Sequence, residues 1–148
     1  DSYYLGLERP YLAANRPLID VAELALVRGF DGNVRARLRP FVTALPRVTA
    51  VNVNTAAPEV YAAIVDGLNL DGARALVAKR DRAYFRDNAD FLNRLPNGAA
   101  VPIDDIAVSS SFFLATMRVT IGGAEARGTA LLAREDARWP AIVWRKLP

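Results

Sequence analysis

The chain has 148 residues, 19 Lys and Arg against 16 Asp and Glu, a hydrophobic fraction of 52%, and neither Cys nor His. One compact domain of this length, or two small ones, hides roughly 70% of the surface its unfolded chain exposes, so a core can form without cross-links. Disulfides, Cys or His metal sites, a Cys nucleophile and a Ser-His-Asp triad are all excluded by residue type, and a scattered net charge of +3 is mild for a nucleic-acid binder.

Up to about residue 105 the apolar residues recur at helical spacing, and beyond it they alternate. The expected order is an α-helical part over residues 1–105 and a β part over residues 106–148, an α+β chain. Asp20 and Glu23 resemble a capping box opening the first helix, which Gly29 ends. Residues 33–41 carry Arg35, Arg37 and Arg39, the densest basic run together with Arg47, and read as a short solvated helix stopped by Pro40. Asn54 or Thr55 is expected to cap a helix over 57–66 that carries Pro58 and Glu59 in its first turn. Gly67-Leu68-Asn69-Leu70 turns the chain, and Asp71 caps a second helix over 72–82. A third, within 85–95, has Asp87 and Asp90 near its start and is closed by Pro96-Asn97-Gly98.

Phe113, Ala115, Met117, Val119 and Ile121 occupy every second position, which predicts a half-buried strand. Gly122-Gly123 joins it as a hairpin to a second strand over 125–134, with Ala126, Gly128, Ala130 and Leu132 on one face. Residues 140–147 supply a third, with Trp139 or Trp144 covering the sheet and Pro140 at its start or edge.

The helices around Gly67 resemble a helix-hairpin-helix unit. In a nucleic-acid-binding reading, Arg74, Lys79, Arg80 and Arg82 would contact phosphates. The turn lacks a second glycine, however, and Asp66 and Asp71 flank it with charge that repels phosphate, so packing is the expected role. The acidic pairs Asp87 with Asp90, Asp104 with Asp105, and Glu135 with Asp136 lack the ligand spacing of a calcium loop, and capping accounts for the first pair. No set of residues is placed for catalysis, and a non-enzymatic role is expected. Asn52, Asn54 and Thr55 suit capping and turn formation. Tyr3, Tyr4 and Tyr11 fit either an exposed recognition surface or packing beneath the first helix.

Taken in order, Tyr3-Tyr4, Arg9-Pro10-Tyr11 through Pro17-Leu18, Asp20-Val21-Ala22-Glu23-Leu24, Val51-Asn52-Val53-Asn54-Thr55-Ala56-Ala57-Pro58-Glu59-Val60 and Ser109-Ser110-Ser111-Phe112-Phe113 resemble the general secretion pathway protein K family, the minor pseudopilins K of type II secretion systems. The resemblance implies a helical domain containing the helix-hairpin-helix-like segment, inserted into a pilin-like sheet whose closing strands end this chain. It implies a place at the tip of the periplasmic pseudopilus, where the protein caps and initiates assembly for protein export. Its implied partners are the minor pseudopilins I and J and secreted cargo, with no nucleic acid. The chain opens at Asp1 without Met, as a fragment would, and the resemblance implies an inner-membrane anchor and earlier strands upstream, which leaves a sheet edge unprotected. Relatives bind calcium in an acidic loop of which Asp1 alone remains here, so Asp1 is carried over as a metal ligand of a largely truncated site.

Overall fold

The computed structural model describes residues 1–134 and 139–147. The chain divides into two compact units, Asp1–Arg47 and Val48–Pro148. The change of periodicity near residue 105 coincides with the switch from helical to strand segments and lies within the second unit.

In the first unit a short helix α1 (Ser2–Leu5) is followed by a 3-10 helix (Val21–Leu26) and helix α2 (Gly32–Leu38). None of its side chains is fully buried. Tyrosines and one ion pair tie it together. Tyr4 lies between Tyr3 and Tyr11, with ring centroids 5.2 Å apart in both pairs, and the Arg28 guanidinium sits 4.4 Å over Tyr3. The Tyr11 hydroxyl donates to the Leu26 carbonyl at 2.8 Å, and the Arg28 amide donates to the Tyr4 hydroxyl at 3.3 Å. Desolvation first, then the neighbouring Tyr4 and Tyr3, push the Tyr11 phenol above its ordinary value, which keeps it a donor. Asp20 caps as expected, accepting from the Ala22 amide at 2.8 Å. Glu23 departs from the capping box: it takes both Arg16 amino groups, at 3.0 and 3.2 Å, and the Ile19 amide, one residue before the cap. The segment winds as a 3-10 helix and ends at Val27, ahead of Gly29.

The second unit is built around Val53, Tyr61, Val65, Leu68, Ala73, Leu76, Phe85, Phe91 and Ile106. Helix α3 (Pro58–Ile64) packs on α4 (Leu70–Arg82), and α5 (Asn88–Asn93) delivers Phe91 edge-on to Phe85 at 5.0 Å and within 5.6 Å of Tyr61. Strand β1 (Val51–Asn52) pairs in parallel with β2 (Ile106–Ala107), which follows a 3-10 turn at Ile103–Asp105, so the two ends of the helical segment are stitched together. No sequence period announces so short a pair. Burial raises the Tyr61 phenol above its ordinary value, and its hydroxyl donates to the Val53 carbonyl inside the core.

Two cap expectations are corrected. Helix α3 has Ala57 at its N-cap with no side-chain cap, because Asn54 and Thr55 are used elsewhere and Pro58 at the first position removes one orphan donor. Helix α4 starts two residues earlier than expected, capped by Asn69, whose carbonyl oxygen accepts from the Gly72 amide at 2.8 Å, while Asp71 sits in the first turn. Asp87 caps α5 as expected, accepting from the Asp90 amide at 2.7 Å.

The sheet has the order β3–β4–β5, all antiparallel: β3 (Phe112–Ile121), β4 (Ala124–Ala133) and β5 (Ala141–Lys146). Gly122 and Gly123 both have positive φ, 54° and 87°, the demand of a type I′ hairpin, and the β3–β4 register runs unbroken from Phe112↔Ala133 to Ile121↔Ala124. A shift between Leu131 and Leu132 sets the β4–β5 register, and Trp144 lies opposite the buried Leu131. Trp144 is the half-buried tryptophan, beside Leu131 on the sheet, whereas Trp139 is 95% exposed. The half-buried reading of β3 is corrected: Met117 is 53% exposed and Ile121 75%, because no described segment lies over that row.

Candidate interaction surfaces

The turn between α3 and α4 is committed to its own chain. The amide of Asp66 donates to the Ala100 carbonyl at 2.8 Å, and the amide of Ala100 returns the bond at 3.0 Å. The amide of Leu68 goes to Val65 and that of Gly72 to the Asn69 side chain. Gly67, at φ 74°, approaches so closely that a Cβ would stand 2.7 Å from the Gly98 carbonyl oxygen. The amides of Asp66, Leu68 and Gly72, which could have faced a phosphate, are thus spent on Ala100, Val65 and the Asn69 side chain.

The cations proposed to assist do not converge. At 3.6 residues per turn, Arg82, Lys79 and Arg80 stand about 80°, 140° and 240° around α4 from Arg74. Arg74 pairs with Asp71 at 3.1 Å. Arg80 turns inward, with its side chain 15% exposed, donates to the Ala56 carbonyl at 2.6 Å and pairs with Asp81 at 3.2 Å. Lys79, Arg80 and Arg82 lie in the last turn, where they complement the helix dipole.

The polar residues that could have been a site serve the buried backbone instead. Asn54 accepts from the Phe85 amide at 2.8 Å and donates to the Phe85 carbonyl at 2.9 Å, imitating a strand partner across 31 residues. Asn52 accepts from the Asn54 amide and donates to the Ser110 hydroxyl, both at 2.9 Å. Asn88 donates to the Ile106 carbonyl at 2.9 Å. Asp90 accepts from the Arg86 amide at 3.1 Å and from two Arg94 nitrogens at 2.6 and 2.9 Å, contacts that hold its carboxyl below the usual carboxylate range. Arg94 also donates to the Ala83 carbonyl and lies 5.1 Å over the Phe85 ring. Sequence reading missed Asn88, the long-range use of Asn54 and the Arg94 contacts with Ala83 and Phe85, whose partners lie on other segments; the Asp90–Arg94 pair, four residues apart, is a local signal that could have been found.

The carboxylates stay apart. Asp87 caps and Asp90 binds Arg94; Asp104 and Asp105 are exposed on the 3-10 turn, and Glu135 with Asp136 lies outside the described residues. A calcium ion takes six to eight oxygens. Asp1 is exposed, and among the described residues no three acidic side chains come together, so Asp1 alone does not form a calcium cage.

What remains open is surface. One face of the sheet presents Phe113, Met117, Val119 and Ile121 from β3 beside Ala124, Ala126, Gly128 and Ala130 of β4, with Ile142 of β5 at one end. Ala130 and Gly128 are shielded by their neighbours, and Met117 and Leu147 lean over Gly128, while the large side chains stay exposed. Both β3 and β5 are edge strands. In the first unit a hollow of about 230 Å³ is lined by Tyr4, Tyr11, Leu12, Leu18, Leu26 and Val27 among others. No helix among the described residues is long and apolar enough to cross a membrane.

Comparison with known proteins reaches nearly the whole chain. Residues 51–109 match the family model described as Type II secretion system (T2SS), protein K, and residues 1–47 match a second model of the same description. Type II secretion system protein K of Aeromonas hydrophila is 34% identical over 142 residues, 90% of this chain and 43% of the relative. That of Klebsiella pneumoniae is 36% identical over 152 residues, 96% of this chain and 46% of the relative. The chain thus spans a little under half the length of these relatives. Among solved structures, one chain of the GspK-GspI-GspJ complex from the type 2 secretion system of enterotoxigenic Escherichia coli matches with a TM-score of 0.79 and 27% identity, covering 100% of this chain and 54% of that one.

Proposed function

This chain belongs to the type II secretion system protein K family, and we propose that it forms part of a minor pseudopilin that ends the pseudopilus, capping it and helping to initiate its assembly. The role is structural, carried by surfaces that join neighbours and not by a reaction. The observation that carries the reading is the whole-length likeness to a GspK chain solved together with GspI and GspJ. The open sheet supports it: a long apolar face and, among the described residues, two unpaired edges are features that a subunit hides against other polypeptide. A helical bulk beside such a sheet would prevent a further subunit from stacking above it. In this reading the partners are the I and J minor pseudopilins and exported cargo, and the domain stands in the periplasm with its anchor in the inner membrane. Calcium, when bound, takes Asp1 as one ligand and its other oxygens from outside the described residues.

The test mixes the purified chain with the soluble domains of I and J from the same system and follows size-exclusion chromatography with light scattering. A ternary species is expected, together with loss of secretion when the full-length gene is deleted. Separate elution of all three, with secretion intact in the deletion strain, overturns the proposal.

A further inference from the structure

We propose that the cleft between the 3-10 helix and α2 in the first unit is a docking site for an acidic segment of a partner protein, with Arg35 and Arg39 as the carboxylate-binding pair. Arg35 on α2 and Arg39, the residue that caps its C-terminus, are one turn apart and face the start of the 3-10 helix across a hollow of about 440 Å³, whose walls include Val21, Ala22 and Ala36. Gly32 lies on the same face and contributes no side chain, which leaves the hollow open beside the Arg35 guanidinium.

The charges there are unspent. Arg16, Arg74, Arg80, Arg94, Arg118 and Arg127 each face a carboxylate. Among the described residues Arg39 has no side-chain partner, and the Arg35 side chain donates a single 3.3 Å bond to its own helix, at the Asp31 carbonyl. Asp20 is the one acidic side chain on the rim, and one of its oxygens already accepts from the Ala22 amide. Two guanidiniums over an apolar wall match a Glu or Asp whose neighbours are apolar: each fork can take a carboxylate in two parallel bonds while the wall covers the adjoining methylenes. A lipid surface fits less well. Arg37 points about 200° away from Arg35 around the helix, so the three cations do not lie in one plane as a membrane-facing patch requires. The inference does not depend on the pseudopilin reading.

Nitrogen-resolved NMR of the full 148-residue chain tests it, with poly-L-glutamate as probe, poly-L-glutamine as uncharged control and phosphatidylglycerol vesicles as the lipid arm. Saturable shifts are expected at the Arg35 and Arg39 Nε–H groups and at the Val21 and Ala22 amides, with poly-L-glutamate only, weakening as salt is added. The double variant R35Q/R39Q should weaken binding about ten-fold, as losing charge-assisted bonds of this kind implies. R35K/R39K, which keeps the charge and the fold, should recover part of that loss, and R37Q should leave binding within about two-fold. Shifts that are absent or scattered over every cation, equal losses for R37Q and R35Q/R39Q, or vesicles that bind more tightly than the peptide and displace it would each overturn the proposal.

Discussion

The two units solve the same problem by different means. Val48–Pro148 seals Phe85, Phe91, Tyr61 and Ile106 from water and then satisfies the backbone around them with Asn54, Asn88 and Arg94. Asp1–Arg47 buries nothing fully, and its tyrosine stack, the Arg28–Tyr3 contact and the Arg16–Glu23 pair do the work of a core. Forty-odd residues cannot enclose much apolar volume, so side chains that would be interior in a larger unit remain at the surface. Buried amides demand partners and wet ones do not, which is why side chains that mimic strand partners occur in the larger unit.

The largest expected contrast comes from emptying the core. Phe91→Ala should cost about 3–5 kcal/mol in urea unfolding followed by circular dichroism, while Leu12→Ala, at a position 69% exposed, should stay within about 0.5 kcal/mol. Comparable losses from both would erase the distinction between the units.

Gly67→Ala sharpens it at the backbone. The positive φ alone costs about 1–3 kcal/mol, and the new methyl must also displace the Gly98 carbonyl; the amide of Ala100 should then exchange with solvent faster. Asn54→Ala leaves the Phe85 amide and carbonyl without their partner, a loss of about 1–3 kcal/mol, visible as lost protection at Phe85. In the first unit, Tyr11→Phe removes one exposed hydrogen bond and should cost no more than about 0.5–1.5 kcal/mol.

The smallest effect is the dependence on acid. Hydrogen bonds from the Arg86 amide and the Arg94 guanidinium lower the Asp90 pKa on folding. The contribution is therefore present above the unfolded value of about 4 and is lost as pH falls through the lower folded value. Glu23, lowered by Arg16 and then by the Ile19 amide, behaves in the same sense in the other unit. Unfolding midpoints measured from pH 7 to pH 2 should fall less steeply for Asp90→Asn than for the parent; parallel curves would remove Asp90 from the account.

Much of the architecture is legible in the sequence alone. Alternation from Phe113 to Ile121, the Gly122-Gly123 hairpin, the breaker Pro40 and the Asp87 cap are local signals, and the structure carries each of them. The errors share one cause. Asn54 was read as a cap for the helix beside it, yet its partners sit 31 residues away. Glu23 was read as the second half of a capping box and serves Arg16 instead. The run Arg35, Arg37, Arg39 reads as a short solvated helix, and α2 bears that out; what no local signal shows is that Arg35 and Arg39, and not Arg37, line the hollow beside the 3-10 helix.

By itself the amino-acid order determined the residue chemistry, the helical and alternating segments and the ordered motifs of a known family, because capping, turn geometry and side-chain period act within a few residues. The tertiary structure alone decided where the units divide, which polar side chains became backbone partners and which apolar row stayed uncovered. Those outcomes depend on which distant segments meet, and the free energy of such a meeting is written in no local stretch of chain.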